Sequence, residues 1–252
     1  MLNKSVGAMA AAVAVLAVAA VPARAEPVKN IVIVHGAFAD GSGWRRVVEI
    51  LGKDGYTVTV VQEPLTSLAD DVAATRRVLE LQQGPALLVG HSYGGVVITE
   101  AGNAPNVAGL VYIAAFIPDQ GESAVALLGQ APAANNDMRA TKDDFLYLDP
   151  AAFPADFAAD LPAAEAKFMA QSQAMAAKAA AGAPVTTAAW HQKKSWALIA
   201  TQDRNINPDL ERKMAKRAGS ETIEVAASHA VYASKPQDVA RLIERAAKAA
   251  AP

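Results

Sequence analysis

Residues 90–94 read Gly90-His91-Ser92-Tyr93-Gly94, with a run of apolar residues before them and Gly95-Val96-Val97-Ile98 after. A serine between glycines, on a turn leading from a strand into a helix, is held in a strained backbone conformation with its hydroxyl exposed above a sheet. A hydroxyl is a weak nucleophile and needs a base, and the base needs an acid to orient it. The N–H after the serine opens a helix, where partial positive charge can meet a developing oxyanion. Together these parts would carry out nucleophilic attack on a carbonyl carbon.

The sequence has only 4 histidines from which to draw the base. His91 lies inside the turn beside Ser92 and reads as structural. His191, next to Trp190, precedes a strand and reads as a surface or pocket-wall residue. His35 ends the first apolar run, too early in the chain for the base of this topology. His229, in "EVAASHAVY", follows the last strand and precedes the final helix. It is the expected base. For the acid, Asp203 ends the fifth strand in "ALIATQDRNI", and Asp119, in "FIPDQ" after the fourth, is its rival. Asp203 is preferred, and the order Ser92, Asp203, His229 differs from that of chymotrypsin-like and subtilisin-like enzymes. An oxyanion hole needs two donors. Tyr93 would offer one through its backbone N–H, and Ala37, in the loop "HGAFADGSGW", the other. Phe38, Tyr93, Phe116 and Trp190 could line an apolar substrate pocket or equally belong to the core.

These residues need strand ends to hold them. Residues 28–34, 56–61, 85–89, 107–116, 195–200 and 222–226 read as six strands, several of them unbroken apolar runs suited to burial on both faces. Helical spacing is found over 44–53, 68–81, 94–102, 208–218 and 237–250, and Ser67 before Leu68-Ala69-Asp70 resembles a capping box. Alternating strands and helices imply a mostly parallel sheet with helices on both faces and function at the carboxyl ends of strands. The stretch 121–187 breaks the rhythm. It is rich in Ala and Pro, has helical pieces such as 163–180, and contains no convincing strand. An insertion of this length at the carboxyl edge of a sheet is expected to cover a site, so 121–190 is read as a helical cap.

The first 25 residues are set apart from this fold. Lys4 is followed by the uncharged apolar stretch 6–21 and by Ala23-Arg24-Ala25, the pattern of a cleaved export signal. The apolar stretch is shorter than the ~20 residues a spanning helix needs. Residues 1–25 are therefore expected to be removed, leaving a single domain over 26–252 in the periplasm or outside the cell. With 23 basic and 25 acidic side chains the chain has a formal net charge of −2. Loss of Lys4 and Arg24 makes it slightly more acidic, which argues against nucleic acid and anionic membranes as partners. The chain has 0 cysteines, which excludes disulfides, thiolate nucleophiles and Cys-ligated metals. It has no His-Glu-x-x-His pattern, and "GHSYGG" lacks the Gly-Lys-Ser/Thr ending of a phosphate loop.

The segments "IVIVHGAFADGSGW", "LLVGHSYGG", "LVYIAAFIPDQ", "ATQDRNINPDLERKMA" and "VAASHAVYASKPQDVARLI" span nearly the whole of residues 26–252 apart from the cap. In these segments the chain resembles the α/β-hydrolase superfamily, and within it the plant methylesterase and hydroxynitrile lyase group. The resemblance implies an α/β-hydrolase fold and cofactor-free chemistry on a small ester through an acyl-serine, with Ser92, Asp203 and His229 as its triad. Two departures matter. Hydroxynitrile lyases of this group carry a lysine immediately after the catalytic histidine, and here Ala230 stands there, which argues against lyase chemistry. The N-terminal hairpin of larger members also has no counterpart after residue 25, so about six strands are expected rather than eight. Some members of the superfamily keep the triad only to bind or sense a ligand, and that is the second reading.

Overall fold

Along β1 (Asn30–Val34), Ile31 and Ile33 face one side of the sheet and Val32 and Val34 the other, and all four are fully buried. A strand without a solvent face needs cover on both sides, and the rest of the chain supplies it. The computed structural model describes residues 1–2, 26–135 and 137–250; apart from Met1 and Leu2, the expected export signal lies outside them. A tight turn at Gly41–Trp44 leads into α1 (Arg45–Lys53), followed by β2 (Thr57–Val61) and α2 (Leu68–Glu80). Asp70 N–H donates to the Ser67 hydroxyl at 3.0 Å, capping α2. Then come β3 (Ala86–Ser92), α3 (Gly94–Ala101) and β4 (Val107–Ala115). β3 runs three residues beyond the expected 85–89, so Ser92 is its last residue.

The cap departs from expectation. Besides α4 (Ala124–Leu128) it holds β5 (Met138–Ala140), β6 (Phe145–Leu148), α5 (Phe153–Asp156), α6 (Ala163–Gln171), β7 (Ala176–Ala177) and α7 (Lys178–Gly182). The three strands form a small antiparallel sheet in the order β5-β6-β7, where the sequence suggested none. Strands this short carry too little alternation to be read, and β7 pairs with residues some thirty positions earlier. The helix expected over 163–180 is broken for a related reason. Gln173 docks on the backbone of Leu148, accepting from its N–H and donating to its carbonyl, each at 2.9 Å. Phe38 N–H donates to Ala174 O and Ala177 N–H to Leu65 O, at 3.0 and 2.8 Å. These tertiary bonds outweigh the helix propensity of an Ala-rich stretch.

After a turn at Ala189–His191 the chain completes the sheet with β8 (Ser195–Ala200), α8 (Pro208–Arg217) and β9 (Glu221–Val225), then ends in α9 (Val231–Ser234) and α10 (Pro236–Ala249). All pairings in the main sheet are parallel, in the order β2-β1-β3-β4-β8-β9. Leu68 and Val72 of α2, Val96 and Val97 of α3 and Met214 of α8 pack on the side of Val32 and Val34. Val47 and Leu51 of α1 and Val239 and Ile243 of α10 pack on the side of Ile31 and Ile33. Among the described residues no helix is long and apolar enough to cross a membrane.

Several ionisable groups are buried beside this core. His35 accepts the Glu63 N–H on Nε2 at 3.1 Å, so its proton sits on Nδ1, which lies 2.9 Å from the Gly36 carbonyl. The ring is neutral, and burial holds its pKa below the ordinary histidine value. Burial lowers His91 further, with His229 adding to the effect. The Glu63 carboxyl has no hydrogen-bond partner on either oxygen. Its burial, and next the charge of Asp71, push its pKa well above 4.5, so it is held protonated.

Two tests follow from this packing. A Cβ on Gly95 would lie 2.2 Å from the Phe116 carbonyl oxygen, a backbone atom of β4's exit, whereas one on Gly52 in α1 meets nothing within 4 Å. Gly95→Ala should destabilise by about 3 kcal/mol or more, and Gly52→Ala should stabilise by roughly 0.5–1 kcal/mol, both measured by urea denaturation. The second test concerns pH. Above pH 4.5 the unfolded chain releases the Glu63 proton while the native state keeps it, so this group's contribution to stability falls as pH rises. His35 and His91 act on the other side: their contribution is full above 6.5 and falls as the unfolded chain takes up protons below it. Glu63→Gln should remove the loss that this group causes above pH 4.5, by up to about 1.4 kcal/mol per pH unit, so that its curve departs from that of wild type above 4.5 and runs parallel to it below. Parallel curves for the two proteins would refute the protonated Glu63.

Candidate active site

The carboxyl ends of β1, β3, β4, β8 and β9 converge beneath the cap, and the candidate residues extend from them. Ser92 ends β3 with φ 51°, in the left-handed region that a side-chain-bearing residue seldom adopts. Two contacts hold it there. Phe116 N–H donates to the Ser92 carbonyl at 3.2 Å, tying the turn to the exit of β4. Gly94 lies so close to the end of β1 that a Cβ would come within 2.5 Å of the His35 carbonyl. Only glycine lets the first turn of α3 sit under the β1 loop. Tyr93, the residue between them, caps the N-terminus of α3.

His229 and Asp203 meet at the ends of β9 and β8. His229 Nδ1 and Asp203 Oδ2 are 2.5 Å apart, and both side chains are buried. The other oxygen, Oδ1, accepts from Asn205 N–H at 2.7 Å and Ile206 N–H at 2.9 Å. The carboxylate is therefore fixed by the turn after β8 before it meets the ring. The imidazole is confined by the edge of Phe157 at 4.8 Å and by His91 at 4.6 Å. His91 Nε2–H also donates to the His229 carbonyl at 3.0 Å, so the turn histidine of β3 holds the loop of β9. The rival acid is elsewhere. Asp119 pairs at 2.8 Å with Nε2 of His191, in a half-exposed contact at the cap's return.

Ser92 and His229 line one cavity of about 350 Å³ between sheet and cap. Ala37, Phe38, Tyr93 and Phe116 line it from the sheet side. Trp190 does not. Its ring is buried with α3 and α8, its Nε1–H donates to Pro118 O at 2.8 Å, and the Arg217 guanidinium lies over it. The turn at Ala189–His191 directs the indole into the core, and a donor buried there takes the nearest carbonyl. The wall comes instead from the cap: Val125, Leu128, Met138 and Leu146 complete it. Among the described residues the polar ones on it, apart from His229, are Ser92, Tyr93, Asn135 and Asn205, and none of those lining it is a carboxylate, lysine or arginine. A larger, open groove of about 620 Å³ between α2 and residues 183–186 contains none of the candidate residues.

Three buried carboxyls near the site escaped the sequence reading. Asp71, in the first turn of α2, accepts the Tyr93 hydroxyl at 2.8 Å. Glu63 lies behind His35, its Oε2 3.8 Å from Nδ1. Glu211 of α8 is buried beside Asp203, and its own burial, then the charge of Asp203, raise its pKa well above 4.5. In sequence, Asp71 and Glu211 look like ordinary acidic residues of a first helical turn. Only the fold turns them inward.

Sequence and structure comparisons agree with this frame. A curated relative, the carbendazim hydrolyzing esterase of Nocardioides sp. (strain SG-4G), is 34% identical over 116 residues. That match takes in 40% of this chain and about half, 48%, of the relative's length. Among solved structures, a pyrethroid hydrolase from Sphingobium faniae JZ-2 superposes with a TM-score of 0.75 at 20% identity, over 88% of this chain and 98% of the other. Polyneuridine aldehyde esterase gives 0.74 at 16% identity over 86% and 99%. An extracellular α/β-hydrolase from a Paenibacillus species, described as sharing homology with tobacco salicylic acid binding protein 2, gives 0.72 at 19% over 86% and 98%. At these identities the likeness is one of fold. The model of the alpha/beta hydrolase family matches residues 31–242, nearly all of the described fold, and the chain belongs to that family.

Proposed function

We propose that the protein is a serine carboxylesterase acting on small, uncharged esters. The observation that carries this reading is the 2.5 Å pair of His229 Nδ1 and Asp203 Oδ2, with His229 opening onto the same cavity as Ser92. With Nδ1 engaged by the carboxylate, Nε2 is the nitrogen free to take a proton. In the first half-reaction Ser92 Oγ forms a bond to the ester carbonyl carbon as its proton passes to His229 Nε2. The tetrahedral oxyanion is received by the backbone N–H groups of Ala37 and Tyr93. The carbon–alkoxy bond then breaks, and His229 returns the proton to the departing alcohol. In the second half, water gives a proton to His229 and its oxygen to the acyl carbon, releasing the acid and restoring Ser92. Asp203 accepts from His229 Nδ1–H and holds the ring in place.

The cavity walls favour an apolar acyl or alcohol group, since they are mostly apolar and, among the described residues, carry no carboxylate, lysine or arginine. The likeness to a carbendazim hydrolyzing esterase is in keeping with ester cleavage. Export belongs to the same proposal: the protein recovered outside the cytoplasm should begin near Glu26 by mass spectrometry, and a full-length chain there would refute cleavage. The central test is hydrolysis of a short p-nitrophenyl ester. Ser92→Ala should lower kcat by at least about 10³-fold, and Asp203→Asn by about 10²–10⁴-fold. Equal rates for wild type and Ser92→Ala would overturn the assignment. One equivalent of p-nitrophenol without turnover would instead support a sensor that only acylates.

A further inference from the structure

The oxyanion hole assigned above depends on two backbone amides, and a backbone amide points only where its loop is held. Tyr93 carries one of them, and the hydroxyl of its side chain reaches a buried carboxylate. The Tyr93 hydroxyl donates to Asp71 Oδ2 at 2.8 Å, while Asp71 Oδ1 accepts from Leu65 N–H at 2.8 Å. Asp71 is fully buried in the first turn of α2, where the helix's positive end offsets its charge. Leu65 has φ 56°, a left-handed conformation that needs holding, and its carbonyl accepts Ala177 N–H from the cap at 2.8 Å. On the other side of the hole, the Glu63 N–H donates to His35 Nε2, bracing the loop that carries Ala37. Both donor loops are thus fastened to the segment between β2 and α2.

Resting on the esterase reading, we infer that Asp71 is a positioning residue for the oxyanion hole, acting through the phenol of Tyr93. Tyr93 is the N-cap of α3, and its backbone is set by Ser92 on one side and by its own side chain on the other. A phenol tied at its tip to a neighbouring helix restricts the rotation of the peptide plane that carries the amide. A donor restricted in this way contributes most when the carbonyl oxygen becomes an oxyanion, and little to ground-state binding. The effect should fall on kcat and spare KM.

The decisive comparison avoids leaving a charge buried without a partner. In Asp71→Asn the amide can still accept from Leu65 N–H and donate to the Tyr93 oxygen, so the tie survives with its hydrogen reversed. In Asp71→Asn/Tyr93→Phe the tie is gone and no charge is buried. Asp71→Asn should keep kcat for the p-nitrophenyl ester within about threefold of wild type. The double variant should lose about tenfold in kcat relative to Asp71→Asn, with KM unchanged within twofold. Affinity for an alkyl trifluoromethyl ketone, which forms an oxyanion on Ser92, should weaken by the same factor. Melting curves establish that both variants are folded at the assay temperature. If the double variant matches Asp71→Asn in kcat and ketone affinity, the inference is overturned. Loss of activity in both variants alike overturns it too, since the carboxylate then matters for something other than the tie. Failure of the underlying esterase reading is a separate result: a wild-type rate that Ser92→Ala does not lower.

Discussion

The left-handed backbone of Ser92 is the constraint around which the rest of the site is arranged. A serine at φ 51° stores strain, of order 1–3 kcal/mol, and persists only where its surroundings leave no alternative. Here the surroundings are backbone. The end of β1 presses on Gly94, the exit of β4 bonds the Ser92 carbonyl, and α3 departs directly from the turn. Strand order matters for the same reason. With β1 and β4 on either side of β3, the two loops that meet the serine are those of its immediate sheet neighbours. Relaxing the turn would require moving the middle of the sheet.

Around that fixed point the chain places its polar groups in pairs, each bound to backbone before it is bound to another side chain. Asp203 is set by two N–H groups of its own turn, and His229 is held through its carbonyl by His91. His91 shows how one residue can be structural and still bear on the site. Neutral and buried, it joins the loops of β3 and β9 and lies tilted against the imidazole of His229. The cap has a different part. It contributes most of the apolar wall, and among its backbone bonds to the body are those at Phe38 and Leu65, next to the loops that would hold an oxyanion. The seat of the cap therefore adjoins Ala37, one of the two proposed oxyanion donors.

Much of this was legible in the residues themselves. The inner strands β1, β3, β4 and β8 were legible as apolar runs because burial on both faces leaves a simple pattern, and the edge strands β2 and β9, partly exposed, by their place between helical stretches. The serine turn, the histidine after the last strand and the aspartate after the fifth were legible for a related reason. Their positions are fixed by strand ends, and strand ends are marked by where apolar runs stop. The small cap sheet was not legible. Its strands have two to four residues, and Gln173 on Leu148 stabilises them through a contact that no local pattern encodes.

By itself the sequence determined which residues stand at the carboxyl edge of the sheet, and with them the identity of the serine, histidine and acid candidates. Tertiary structure decided among groups whose sequence contexts were alike. Asp203 and Asp119 both follow strands, yet only Asp203 has its carboxylate against His229, while Asp119 is turned toward His191. Phe116 and Trp190 were equal candidates for the pocket, and the turn that buries the indole against Pro118 separates them. Asp71 and Glu211 gave no signal at all. An acidic residue in a first helical turn is ordinary along the chain, and it becomes a buried partner only when another element folds over it.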